Sequence, residues 1–589
     1  MRKKAYCILL CIFMVSGLVF SSNVNGLVLN DSITAPKLET VFEHENWWWT
    51  TAEVVSTEST GTSKYTSLAV DSVGNVHIAW YDYTDYSGCG TDVDIFYKFW
   101  NSSSSLWSVT EVVSTESTGT SVEPSLAIDS EDNLHVTWDD TTDYNGAGTD
   151  YDIFYKSRSS GGSWGSTEVV STESTGHSQK NSLAIDSEDN LHVVWQDTTD
   201  YNGAGFDGDI FYKSRSSGGS WGSTEVVSTE STSGSDNCAL FVDSTGDVHV
   251  SWRDSTDYNG AGTDFDVFYK VLDSSSSFWS VTNVVSTEST DGSMSSSLVV
   301  DSVGNVHIAW YDYTDYSGAG GVDTDIFYKF WDDGSSTWSV TEVISTESTS
   351  GSYYPAFAID SADNLHLIWR DYTEYLSSGT DPDVFYKLKD ASNGVWSTTE
   401  LVSSESTNTV EFVSITVDYF DNIHVSWYDL TDYLGCGTDY DIFYKKFVGP
   451  PTAPAYLTAA PGYSTDGVIS LDWADVARTD AYYLYRETAY IASTTGLTPL
   501  LKLTESNYTD TLNSDDTYYY AVVAENEFGN STLSSVADVQ VAIQSPTQPT
   551  NETDSLLSFI SNEGLILFGV LLGTQLLFFV LSIIIKRKK

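Results

Sequence analysis

Seven of the nine histidines fall at one kind of position. His77, His135, His192, His249, His307, His366 and His424 each stand three residues before a tryptophan, from Trp80 to Trp427, at intervals of 57–59 residues. A ring of imidazoles could hold a metal or move protons. Yet seven equal copies lack the asymmetry of a single catalytic centre, and each His lies inside a strand beside the same Trp. Packing and hydrogen bonding is the expected role. The acidic loop that follows carries more chemistry. Each repeat has an Asp two residues after the Trp, then [TS]-[DE]-Tyr, then Asp-x-Asp. The first gives Asp82, Asp85, Asp92 and Asp94, and the second Asp140, Asp143, Asp150 and Asp152. Four carboxylates so close repel unless hydrogen-bonded or bound to a cation, and Ca²⁺ takes carboxylate and loop-carbonyl oxygens. These eight, with their equivalents in the other repeats, are the candidate calcium ligands. The spacing is not that of an EF-hand, and the competing expectation is that they cap Thr, Tyr and backbone groups. No G-x-S-x-G, H-E-x-x-H or P-loop pattern occurs.

The elements that must carry these loops are short strands. In the first repeat Ser67–Val70 leads into a turn at Asp71-Ser-Val-Gly-Asn75, and Val76–Tyr81 returns. The acidic loop follows, then Ile95–Phe99, then Trp107–Ser114. Seven such units predict an all-β, seven-bladed β-propeller over residues 47–448. The last unit stops after its third strand, at Lys446. Its missing fourth strand stands at the start, where Trp49–Ser56 matches Trp107–Ser114, so the N-terminal strand is expected to complete the seventh blade. Cys89 and Cys436 share one loop position in units one and seven, neighbours only in a closed ring, and are expected to form a disulfide. Cys238 reads as a buried thiol.

The net charge of −57 excludes nucleic-acid binding, which rests on Lys and Arg neutralising phosphates. Apolar content of 40% and aromatic content of 14% exclude a disordered acidic chain. Residues 1–26, with Arg2-Lys3-Lys4 before an apolar run, read as a signal peptide. Residues 564–585 carry no charge and precede Lys586-Arg587-Lys588-Lys589, the pattern of a transmembrane helix with a cytoplasmic basic tail at 586–589. Residues 544–563 read as a stalk. The expected location is the cell membrane, single-pass, with the N-terminal part outside.

Ser157-Arg-Ser159-Ser-Gly161-Gly-Ser163-Trp164 and Ser214-Arg-Ser216-Ser-Gly218-Gly-Ser220-Trp221 stand between third and fourth strands, and there the repeats resemble sialidase-like (BNR, Asp-box) propellers. Ser replaces the motif's Asp in both. The resemblance implies the propeller fold. It would also imply an arginine triad with a Tyr/Glu pair and an acidic residue, yet the propeller has only Arg158, Arg215, Arg253 and Arg370, giving no triad. Residues 452–543 resemble a fibronectin type III-like domain, with Trp473 as the core Trp and Tyr518 as the tyrosine-corner residue. These features lead us to expect a non-enzymatic surface protein that binds or adheres to an extracellular glycan or protein ligand. The alternative is a sialidase-like glycoside hydrolase acting on extracellular glycans. Ca²⁺ is the one cofactor considered.

Overall fold

The computed structural model describes residues 48–316, 323–376, 378–449, 451, 453–476, 479–526 and 529–543. The segments expected as signal peptide (1–26), stalk (544–563), transmembrane helix (564–585) and basic tail (586–589) lie outside the described residues. Among the described residues every regular element is a β-strand, and no helix is long and apolar enough to cross a membrane.

The fold is propeller-like: seven antiparallel sheets of four or five strands, six of them each from one repeat. In the first repeat Ser63–Val70, Val76–Asp82 and Asp94–Asn101 form the ladder, and Leu106–Trp107 and Glu111–Val112 both pair with the third strand. The middle strands are buried on both faces and so read as near-continuous apolar runs rather than alternating ones. Trp80, Trp138, Trp195, Trp252, Trp310, Trp369 and Trp427 are the largest fully buried side chains. Each indole N–H donates to the Asp two residues on, as Trp138 does to Asp140 at 2.8 Å. Trp138→Ala is expected to cost about 3–5 kcal/mol. A denaturant midpoint unchanged by it would contradict this view of the core.

Neighbouring sheets are clamped by a buried lysine that recurs in each repeat. Lys156 is 1% exposed, and its ammonium donates to Val113 O, Thr115 Oγ1 and Glu116 Oε2 of the preceding repeat at 2.8, 2.8 and 2.6 Å. A buried ammonium needs such a complete set of acceptors. Equivalent lysines act in the other repeats, among them Lys98 and Lys213.

First strands of successive repeats lie side by side, and that of the seventh, Val410–Val417, adjoins that of the first, Ser63–Val70. They form the inner wall of a closed ring. The chain start completes the last sheet: Trp48 and Trp49 pair with Val448 and Phe447, and Glu53 and Val54 with Tyr444 and Phe443.

Beyond the ring, a three-stranded and a six-stranded sheet enclose a second core around Trp473, Tyr482, Leu484 and Tyr520. Tyr518 turns its hydroxyl back to Ser514 O at 3.3 Å.

Candidate functional site

The aspartates expected to converge on calcium face different ways. Asp82 is fully buried, and its carboxylate accepts from Ser59 Oγ, Thr84 N, Ser63 Oγ and Trp80 Nε1 at 2.6–3.0 Å. Asp140 accepts the equivalent four donors. Asp85 and Asp143 take the backbone N–H of Gly90 and Gly148. Asp92 folds beneath Gly90, where an added Cβ would lie 2.4 Å from its Oδ1, and Asp150 does the same beneath Gly148. Both glycines have φ near +120°, so glycine is required twice over. Asp94 and Asp152 are buried and accept from Ser114 and Ser171 at 2.7 Å. Among the described residues no group of three or more His, Cys, Asp or Glu closes on one point. Donors of the fold thus occupy the first aspartate of each loop, and the last keeps a buried oxygen without a hydrogen-bond partner among the described residues.

The expected Cys89–Cys436 disulfide is not formed in this structure. Both thiols are free, each donating to a carbonyl of its own loop, Thr84 O and Thr431 O. They pack against different clusters of the core.

The remaining repeated residues serve the fold as well. Every ring histidine holds a Tyr hydroxyl at Nδ1 (2.6–2.8 Å) and faces the turn Asp with Nε2 (3.2–3.4 Å). Arg158 and Arg215 pair with Glu111 and Glu168 of the preceding repeats.

What differs between repeats gathers in one place. Each first strand slips register at a bulge, in the first repeat between Lys64 and Ser67. The bulge residue is Tyr65, Glu123, Lys180, Asn237, Ser295, Tyr354 or Phe412, all with φ between 34° and 55°. A left-handed conformation in residues this bulky is strained. All seven line one cavity of about 490 Å³ at the centre of the ring. The bulge turns one side chain per repeat inward, so seven copies of one fold present nearly seven different groups. The residue after each Trp varies likewise, and two of these, Arg253 and Tyr311, join the lining.

The chemistry of this cavity is asymmetric. Asp139 is 1% exposed and accepts from Asn181 Nδ2 at 2.7 Å and Lys180 N at 2.8 Å. The same Asn181 amide reaches Glu123 O at 2.9 Å, which ties the two acidic residues together. Burial, then the neighbouring Glu123, push the Asp139 carboxyl well above the usual range. Burial also raises Glu123, against the pull of Lys180. Asp236 is held below its usual range: burial acts the other way, but Arg253 and Lys180 bond it and outweigh that. Arg370 is bound by Glu411 and lies over the rings of Tyr353, Tyr354 and Tyr372. Tyr65, Phe412 and Tyr354 stack in sequence, with centroids 4.0 and 4.6 Å apart. A coupled carboxyl pair raised above its usual range, a carboxylate held below its own and an aromatic wall give the cavity groups suited to proton transfer.

No protein-family model and no curated protein matches the chain. Solved structures do. It is similar to a polysaccharide lyase described as an ulvan lyase bound to -[GlcA(1-4)Rha3S]-, at 12% identity and a TM-score of 0.45, over 65% of this chain and 94% of that one. It is similar to the NanB sialidase of Streptococcus pneumoniae at 12% identity and a TM-score of 0.36, over 67% and 70%. A fungal alcohol oxidase in complex with copper matches at 13% identity and 0.43, over 84% and 100%.

Proposed function

We propose that the protein acts on an extracellular glycan held in the central cavity, with Glu123 as the proton donor to a glycosidic oxygen. In this reading the ring is a seven-bladed β-propeller over residues 47–448. A fibronectin type III-like sandwich at 452–543 and a stalk raise it from a single transmembrane helix. The observation that carries the proposal is the meeting of all seven divergent bulge residues in one cavity, in a chain whose other repeated positions serve the fold.

The aromatic wall supplies faces for sugar rings, and Lys180, Asn181 and Asn237 supply hydrogen bonds. Arg253 and Arg370 are already bound by Asp236 and Glu411, so the site favours neutral sugars over an anionic one that would need an open arginine cluster. The Glu123 carboxyl gives its proton to the leaving oxygen as the bond to the anomeric carbon breaks. Water adds to that carbon, and its proton returns to the Glu123–Asp139 pair, so the step is a balanced hydrolysis.

A panel of fluorogenic glycosides, run beside a glycan array, tests this. The wild type is expected to turn over a neutral glycoside. Glu123→Gln is expected to lose about 100-fold or more of kcat while still binding on the array. Wild-type binding without turnover would return the protein to the adhesive role, and neither binding nor turnover would remove the glycan altogether.

A further inference from the structure

Given the glycan reading above, on which this rests, we propose that the ligand is an internal stretch of an unbranched, neutral glycan chain lying across the mouth of the ring. The lining of the cavity divides in two. Every aromatic side chain in it comes from repeats five, six, seven and one: Tyr311, Tyr354, Phe412 and Tyr65. Every charged or amide side chain comes from repeats two, three and four: Glu123, Lys180, Asn181, Asn237 and Arg253. A ligand seated between two such halves needs a C–H face on one side and hydroxyls on the other, which is the surface of a pyranose ring.

The aromatic half runs on past the cavity. Its rings form one unbroken arc, Tyr83–Tyr81–Tyr65–Phe412–Tyr354–Tyr311–Tyr313, with neighbouring centroids 4.0–6.2 Å apart. Tyr81 and Tyr311 are buried, whereas the two ends, Tyr83 and Tyr313, are 50% and 41% exposed. Each end ring meets its buried neighbour edge to face, at 67° and 68°, rather than stacked. Ring surface is therefore left open at both ends, and large aromatics bare beside a cavity mark a binding surface. Both tyrosines stand three residues after the repeat Trp, so they share one face of the ring. Repeats one and five are as far apart as a ring of seven allows. A ligand that touches both Tyr83 and Tyr313 must cross the mouth with the cavity beneath its middle, and a single sugar cannot. A chain inserted by its end would fill the cavity and leave both bare. The net charge of −57 and the occupied arginines Arg253 and Arg370 turn away an acidic chain.

The full-length protein is titrated with cello-, xylo-, manno- and malto-oligosaccharides, from mono- to hexasaccharide. For at least one series the affinity is expected to rise about tenfold or more between the mono- and the tetrasaccharide, and to hold for hexasaccharides capped at both ends. Tyr83→Ala/Tyr313→Ala, which removes two exposed side chains, is expected to erase most of that rise, and Tyr83→Phe/Tyr313→Phe to retain it. Affinity indifferent to length, binding lost on capping, or a rise that survives in the alanine variant overturns the proposal. Each of these leaves a terminal sugar in the cavity, and the glycan reading stands. Silence from all four series while short glycans still bind on the array has the same meaning. Failure of every glycan, with or without binding of a random peptide library, overturns both.

Discussion

A chain lacking residues 48–56 is expected to lose its cooperative unfolding transition. Those residues supply the outer strands of the seventh sheet, pairing along Asp441–Val448 from Val448 to Phe443. Trp49 packs on Phe447 at 4.8 Å and donates from Nε1 to Glu400 at 2.9 Å. Val55 is fully buried and its carbonyl accepts from Lys98, the clamp of the first repeat. Ser56 Oγ donates to Asp441 and accepts from Ile442 N. The deletion therefore bares a strand edge, strips one clamp and orphans a buried carboxylate together. Losses of this kind sum to more than about 5 kcal/mol, comparable with the whole stability of a domain. Calorimetry with size exclusion decides it: a broad or absent transition with aggregation is expected, and one sharp transition near the wild-type Tm would contradict ring closure as a source of stability.

The second large effect is on pH. In chelator, stability is expected to peak near pH 5 and to fall toward pH 8. Asp152, Asp209, Asp266, Asp325, Asp383 and Asp441 are pushed up to about 6–7, chiefly by burial, and Asp94 moves the same way. A carboxyl raised in the folded state holds its proton better there than in the unfolded chain. Stability is then lost as pH rises from about 4, the unfolded value, through 6–7. At about 1.4 kcal/mol per pH unit, one unit realised at each of these seven carboxyls removes about 10 kcal/mol. The turn aspartates set the other limb. Asp71, Asp129, Asp186, Asp301, Asp360 and Asp418 are lowered by hydrogen bonds from their Asn and His neighbours, which outweigh burial. Their contribution disappears below about pH 4. Two histidines, His135 and His192, oppose the trend because burial lowers them, but seven carboxyls outweigh two imidazoles. Denaturant midpoints from pH 3 to 9 test it, and a plateau between pH 5 and 8 in chelator would sink it.

The ring was legible in the sequence because its repeated residues perform repeated jobs. The His–Trp spacing and the displaced strand at Trp49 gave the sheets and their closure. Spacing is less informative about chemistry, because it marks the residues that recur. Asp82 and Asp140 recur because each anchors a Trp and a turn, and spacing alone does not reveal that donors fill their lone pairs. Cys89 and Cys436 occupy matching loops, but each thiol turns into its own loop. The sequence pattern places the first strand at Ser67–Val70, whereas it begins at Ser63 and carries a bulge at Tyr65. No glycine marks that left-handed turn, so no local signal announced it. A column-wise comparison of the repeats picks out the proposed site instead. Glu123, Lys180 and Asn237 stand where the first repeat has Tyr65, and Arg253 and Asp139 stand where it has Tyr81.

The most direct measurement compares two variants on one glycan array. The first, Glu123→Gln/Lys180→Gln/Arg253→Gln, changes the central cavity. The second, Asp85→Asn/Asp143→Asn/Asp200→Asn, changes the repeated outer loops by as many residues. If the divergent residues are the functional ones, the cavity variant loses glycan binding and the loop variant keeps it. Binding that survives the first and vanishes in the second would place the ligand on the rim, against everything built on the central cavity.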